Sequence, residues 1–170
     1  MTAFVALLRG INLGNRQLRM ADLRRIAEEL GLGSPSTYIA SGNLLFTSDQ
    51  GEPALKAALE RRLTEHMGAA VGVMIRTAKQ MAEVAKANPF AGEPGNKVVA
   101  IFLDEAPPGD AADHAKNLAV EHIALGGREI YVHYPDGQGR SKLAIPAAAK
   151  GTARNMNSVA KLAEMAVEIE

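Results

Sequence analysis

Apolar and polar positions alternate between two periods along the chain. Ala3–Arg9 (AFVALLR) is apolar on both faces, which predicts a short buried strand. Gly10-Ile-Asn-Leu-Gly14-Asn15 reads as a loop. Met20, Leu23, Ile26 and Leu30 then recur at helical spacing, so the pattern predicts an amphipathic helix over about 19–30, ended by Gly31 and Gly33. Residues 36–40 and 43–48 read as two strands around a tight Ser41-Gly42 turn. Pro53 suits the first turn of a helix whose inner face is Leu55, Leu59, Leu63 and Met67. Residues 71–77 return to strand. The order βαββαβ is that of a ferredoxin-like unit.

A helix over about 78–87 follows, with Met81, Val84 and Ala85 facing inward. Residues 88–96 (NPFAGEPGN) hold two Pro and two Gly and mark an irregular connection. Residues 97–104 (KVVAIFLD) form a strong strand pattern. After Pro107-Pro108-Gly109, Asp110 is placed to cap a helix over about 110–119. Strands are expected at about 121–125 and 129–134, with Tyr131 and His133 on one face and Val132 and Tyr134 on the other. A last helix covers about 157–169. The second half thus echoes the first. The expected fold is α+β, two ferredoxin-like (split βαβ) halves related by internal duplication. Residues 1–87 form the first half with its connecting helix and 97–170 the second, packed as one compact unit.

Composition narrows the chemistry. The 170 residues are 47% apolar and include no Cys, which removes disulfide scaffolds, thiol nucleophiles and Cys-ligated metals. The apolar runs 3–8 and 98–103 are far short of the roughly 20 residues that span a bilayer. A cytoplasmic protein without membrane attachment is expected. The four His, at 66, 114, 122 and 133, lack metal-site spacing, and no metal or cofactor is expected.

Charge is balanced overall, with 19 basic and 19 acidic residues, but not locally. Residues 1–21 carry Arg9, Arg16 and Arg19 and no acid. Residues 137–163 carry Arg140, Lys142, Lys150, Arg154 and Lys161 and no acid. Both stretches coincide with Gly/Asn-rich loops, a combination suited to phosphate or carboxylate. Residues 136–142 (DGQGRSK) imitate a phosphate loop, but Ser precedes Lys and the Walker order fails. Asn155 and Asn157 both suit the N-cap of the last helix.

Five segments, Leu7–Gly14 (LLRGINLG), Thr37–Asn43 (TYIASGN) with Phe46, Asn88-Pro-Phe90, Ser141-Lys-Leu143 and Arg154–Val159 (RNMNSV), together resemble the bacterial domain-of-unknown-function family 1697. The resemblance implies a ferredoxin-like fold with duplication and no assigned activity. The chain departs from the family pattern at Met156, where Trp is usual, and at Gly14-Asn15, where Gly-Gly is usual.

The reading that unites motifs and charge is a binding site for a phosphate- or carboxylate-bearing small molecule. It is built from Arg9, Asn12, Ser41, Asn43, Lys142, Arg154 and Asn155, with no nucleophile or general base identified. Two alternatives use the same residues. One is a nucleic-acid-binding module, whose affinity would fall steeply with salt. The other is a ligand-free structural or interaction domain, in which the Arg and Asn side chains form internal hydrogen-bond networks and helix caps.

Overall fold

Six consecutive apolar residues place β1 (Thr2–Arg9) at the heart of the first sheet, where Ala3–Leu8 are all buried. The computed structural model describes residues 1–14 and 16–170; Asn15, one of the two departures from the family pattern, lies outside them. β3 (Asn43–Ser48) and β4 (Gly72–Thr77) flank β1 antiparallel, and β2 (Gly33–Thr37) pairs with β3. The order is β2-β3-β1-β4. α1 (Met20–Glu29) buries Leu23, Ile26 and Ala27, and α2 (Glu52–Met67) buries Leu55, Leu59 and Leu63. These side chains meet Phe4, Leu8, Phe46 and Ile75 in one core. α3 (Ala78–Lys86) is started by a reciprocal cap: Gln80 N–H donates to Thr77 Oγ1, and Thr77 N–H to Gln80 Oε1.

The hairpin departs from expectation. β2 occupies 33–37 rather than 36–40, and Tyr38–Gly42 forms a five-residue loop in place of a tight turn. Asn43 Nδ2 donates to the Tyr38 carbonyl at 2.9 Å, which holds the chain out of strand geometry. Ile39 sits there at φ +53°. Gly33 opens the strand instead of ending the helix, because a Cβ would collide with the Thr47 hydroxyl on β3.

The second sheet repeats the first. β5 (Val98–Phe102) is central, β7 (Glu129–His133) and β8 (Thr152–Asn155) flank it, and β6 (His122–Leu125) lies outside β7. All pairs are antiparallel, in the order β6-β7-β5-β8. α4 (Met156–Ile169) follows β8 as α3 follows β4. β8 is absent from the sequence reading, since its four residues, TARN, show no apolar alternation.

The expected helix over 110–119 is a single 3-10 turn, Ala111–His114. Asp110 does not cap it; its carboxylate pairs with His114 at 3.0 Å. Beyond the turn Asn117 adopts φ +60°, and Leu118 and Val120 stand 53% and 50% exposed. With those apolar side chains outside, no inward stripe remains to hold a helix on the sheet. The connection from β7 to β8 likewise holds only two 3-10 turns, Gln138–Arg140 and Pro146–Ala148.

The chain forms two ferredoxin-like units. One comprises residues 1–81 and 162–170, the other 82–161. The end of α3 belongs to the second, where Tyr131 Oη donates to the Val84 carbonyl at 2.8 Å. The end of α4 belongs to the first, where Ala3 N–H donates to Glu170 Oε2 at 3.5 Å. No helix is long and apolar enough to cross a membrane among the described residues.

Candidate functional site

In the first unit the loop after β1 and the β2–β3 loop interlock. Leu8 N–H donates to the Gly42 carbonyl at 2.9 Å. Gly42 adopts φ +91°, and a Cβ there would lie 2.5 Å from Ile11 Cδ1, so the motif needs glycine on both counts. Asn12, at φ +54°, donates through Nδ2 to the Ala40 carbonyl and accepts Leu18 N–H through Oδ1, both at 2.6 Å. Asn43 is fully buried and donates to the Tyr38 carbonyl and to Ser41 Oγ. Three of the sequence-predicted site residues, Asn12, Ser41 and Asn43, therefore belong to one hydrogen-bonded loop pair. Arg9 is the exposed last residue of β1, opposite Gly72.

In the second unit Arg154 is 6% exposed within β8. Its Nη1 donates to Thr152 Oγ1 at 2.6 Å and to the Ala153 carbonyl at 2.9 Å. Burial pulls its pKa down to about 10. Asn155 caps α4, accepting Ser158 N–H at 2.9 Å. Met156, at the family Trp position, is buried as an apolar residue.

The first unit holds a counterpart to Arg154 that the sequence reading missed. Arg76 is 1% exposed, lies one residue before the N-cap Thr77 and donates through Nη1 to the preceding carbonyl of Ile75 at 2.9 Å. The signal was present in the letters: an Arg, then a capping Thr or Asn, then a helix, once in each half.

The Asn88-Pro-Phe90 segment is also engaged within its unit. Asn88 Oδ1 accepts Phe90 N–H, and the Phe90 ring lies 5.8 Å from His133 and 6.4 Å from His122. Glu93 is 3.7 Å from His133 Nε2. Among the described residues no group of three or more acidic or His side chains is placed to hold a metal ion.

Lys142 stands apart from these networks. It lines a cleft of about 320 Å³ in the second unit, together with Glu121, Tyr134, Asp136, Arg140 and Ser141. The cleft lies between the β5–β6 and β7–β8 connections, the two places where the first unit carries α1 and α2. Paired backbone bonds between Lys116 and Ala144 tie its walls. Ser141 Oγ donates to Glu121 Oε2 at 2.6 Å and accepts Leu143 N–H, while Glu121 Oε1 accepts Ala119 N–H. The Ser141 bond leads in holding the Glu121 carboxyl below its ordinary range. The Arg140 and Lys142 side chains have no hydrogen bond or ion pair among the described residues.

Fold and cleft together define a duplicated ferredoxin-like α+β protein with a cleft on its second half where the first carries helices. Residues 1–131 match the model of the family described as protein of unknown function (DUF1697), and the chain belongs to that family. The segments at Ser141–Leu143 and Arg154–Val159 lie beyond that match. The chain is similar to the solved structure of the conserved bacterial protein SP0830 from Streptococcus pneumoniae. The two are 26% identical over 98% of this chain and 99% of that one, with a TM-score of 0.81. No curated protein matches the chain.

Proposed function

We propose that the protein binds a small phosphate- or carboxylate-bearing molecule in the cleft of its second unit, with Arg140 and Lys142 as the anion contacts. The observation that carries this reading is that two cations flank one cleft with no carboxylate paired to either. Several basic side chains in the first unit are paired, as in Arg19–Asp22 at 2.9 Å, Lys56–Glu60 at 2.8 Å and Arg62–Glu29 at 2.8 Å. Glu121 and Asp136 line the same cleft, but neither pairs with these cations among the described residues, and the Glu121 carboxylate accepts from Ser141 and the Ala119 amide instead. An anion is therefore the partner that the free cations lack. On this reading Asn12, Ser41, Asn43 and Asn155 hold loops and a helix start rather than ligand, and Lys142 is the sequence-predicted residue that does the binding.

The test is a thermal-shift titration with inorganic phosphate and acetate, against chloride at matched ionic strength. A ligand at 100 times its Kd adds about 2.7 kcal/mol, roughly 5–10 °C in a chain of this size. The Arg140→Ala/Lys142→Ala pair should abolish the shift while the unliganded midpoint stays within about 0.5 kcal/mol of wild type, since neither side chain has a protein partner. A shift that survives both substitutions would sink the assignment.

A further inference from the structure

Tyr131 and Tyr134 point to opposite faces of the same stretch of chain, and they differ in one respect. Both are buried, at 2% and 7% exposure. Tyr131 Oη has its partner in the Val84 carbonyl. Tyr134 packs its ring among Val99, Ile130 and Val132, yet its hydroxyl makes no hydrogen bond among the described residues. The ring is buried, while the hydroxyl opens onto the cleft with no protein partner to bond, so it is free to meet a ligand. Tyr134 lines the cleft, beside Glu121.

The two groups have complementary needs. Burial and the nearby Glu121 carboxylate push the Tyr134 pKa up, so the phenol stays a proton donor throughout the physiological range. Glu121 accepts one bond on each carboxylate oxygen, from Ala119 N–H and Ser141 Oγ. An ionised carboxylate offers about four lone-pair sites, so acceptor capacity remains. A ligand group that serves both must accept from Tyr134 and donate to Glu121. An ammonium only donates. A carbonyl, ether or phosphate oxygen only accepts. A hydroxyl does both.

We infer that the cleft takes a hydroxylated phosphate ester of single-ring size, a sugar or polyol phosphate. Its phosphate lies on Arg140 and Lys142, and one hydroxyl is held between Tyr134 and Glu121. Tyr134 is then the specificity-determining residue. The volume of about 320 Å³ is at the small end of ligand clefts, which fits one ring and a phosphate rather than a dinucleotide. The exposed Asp136 carboxylate at the same cleft supplies a further acceptor for ring hydroxyls. This inference rests on the anion-site reading above, and the experiment separates the two.

Calorimetric titrations of the full-length protein would compare ribose 5-phosphate with ethyl phosphate, which keeps the phosphate but has no free hydroxyl on carbon. Wild type should bind ribose 5-phosphate at least about tenfold more tightly, the worth of a hydroxyl hydrogen-bonded at once to Tyr134 and to the charged Glu121 carboxylate. Tyr134→Phe keeps the ring in the core and should reduce that preference to within about threefold, with ethyl phosphate affinity unchanged. Equal affinities in wild type, or a preference that Tyr134→Phe leaves intact, would overturn the inference about the hydroxyl. If ethyl phosphate still binds in a Lys142-dependent way, the anion site stands. If neither phosphate binds, both readings fall together.

Discussion

The two units share one sheet plan and cover it differently. In each, the first strand is central, the third and fourth flank it, and the second lies at the edge. In the first unit two helices lay Leu23, Ile26, Leu55, Leu59 and Leu63 on the sheet. In the second, the same two connections contribute the buried Leu103 and Ile145 and the partly buried Ala115, Leu143, Ala147 and Ala148, with only 3-10 turns. The strand pairing survives this loss because its register is set by strand-to-strand hydrogen bonds and by the alternation of inner residues, which both sheets retain. What changes is the surface. Helices place charges at i, i+3 and i, i+4, where they pair with one another. Irregular segments leave Arg140 and Lys142 beside a cleft, in no ion pair among the described residues. The divergence of the second unit from the first is thus where the cleft opens.

Two comparisons between the units, and one measurement within the second, test this account. The largest effect falls on the helix layer. Leu59→Ala in α2 should cost about 3–4 kcal/mol, because its side chain is fully buried. Leu143→Ala, in the segment that replaces that helix, should cost only about 1 kcal/mol, because Leu143 is half-buried. Similar losses in urea unfolding would mean that the second unit is held as tightly as the first, against the picture of a thinned covering layer.

Next come the repeated arginines. Arg76→Ala and Arg154→Ala should each lower stability by more than about 2 kcal/mol, since each removes a buried, hydrogen-bonded charge ahead of a helix cap. A loss at one position and none at the other would break the equivalence of the two strand-to-helix junctions.

The smallest effect concerns Tyr131. Tyr131→Phe should cost about 1 kcal/mol by leaving the Val84 carbonyl of α3 without its donor. Burial raises the Tyr131 pKa to about 12. The folded state therefore keeps the phenol proton after the unfolded chain, titrating near 10, has lost it. Its contribution is complete below pH 10 and is lost as pH rises toward 12, so the gap between wild type and Tyr131→Phe should close across that window. A gap that stays constant in urea titrations would place the phenol in a solvated setting.

The candidate site was partly legible in the sequence. Lys142, which lines the cleft, was marked by a basic run without acids, and the Asn155 cap by the preference of Asn before a helix. Tyr134 and Glu121 were not marked as site residues, because an unpartnered hydroxyl and a shared cleft exist only after strands 122–125 and 129–133 are paired. Arg140 lay in a recognised motif but gave no local reason to be preferred over Lys150 or Lys161. Arg76 was missed because the repeat it belongs to shares only an Arg and a cap, too few letters to stand out before the two junctions are superimposed.

By itself the sequence determined the elements with long apolar periods: the central strands, α1, α2, α3 and α4, and the duplication of their order. Those follow from which side chains must leave water, a property carried by each segment alone. Only the tertiary structure decided that residues 111–121 and 138–149 would form 3-10 turns and no α-helix, that the four residues TARN would become β8, and that the ends of α3 and α4 would each belong to the other unit. Such outcomes depend on whether a neighbouring surface exists to receive an apolar stripe or to complete a ladder. Where none was offered, Leu118 and Val120 stayed in water and a cleft remained.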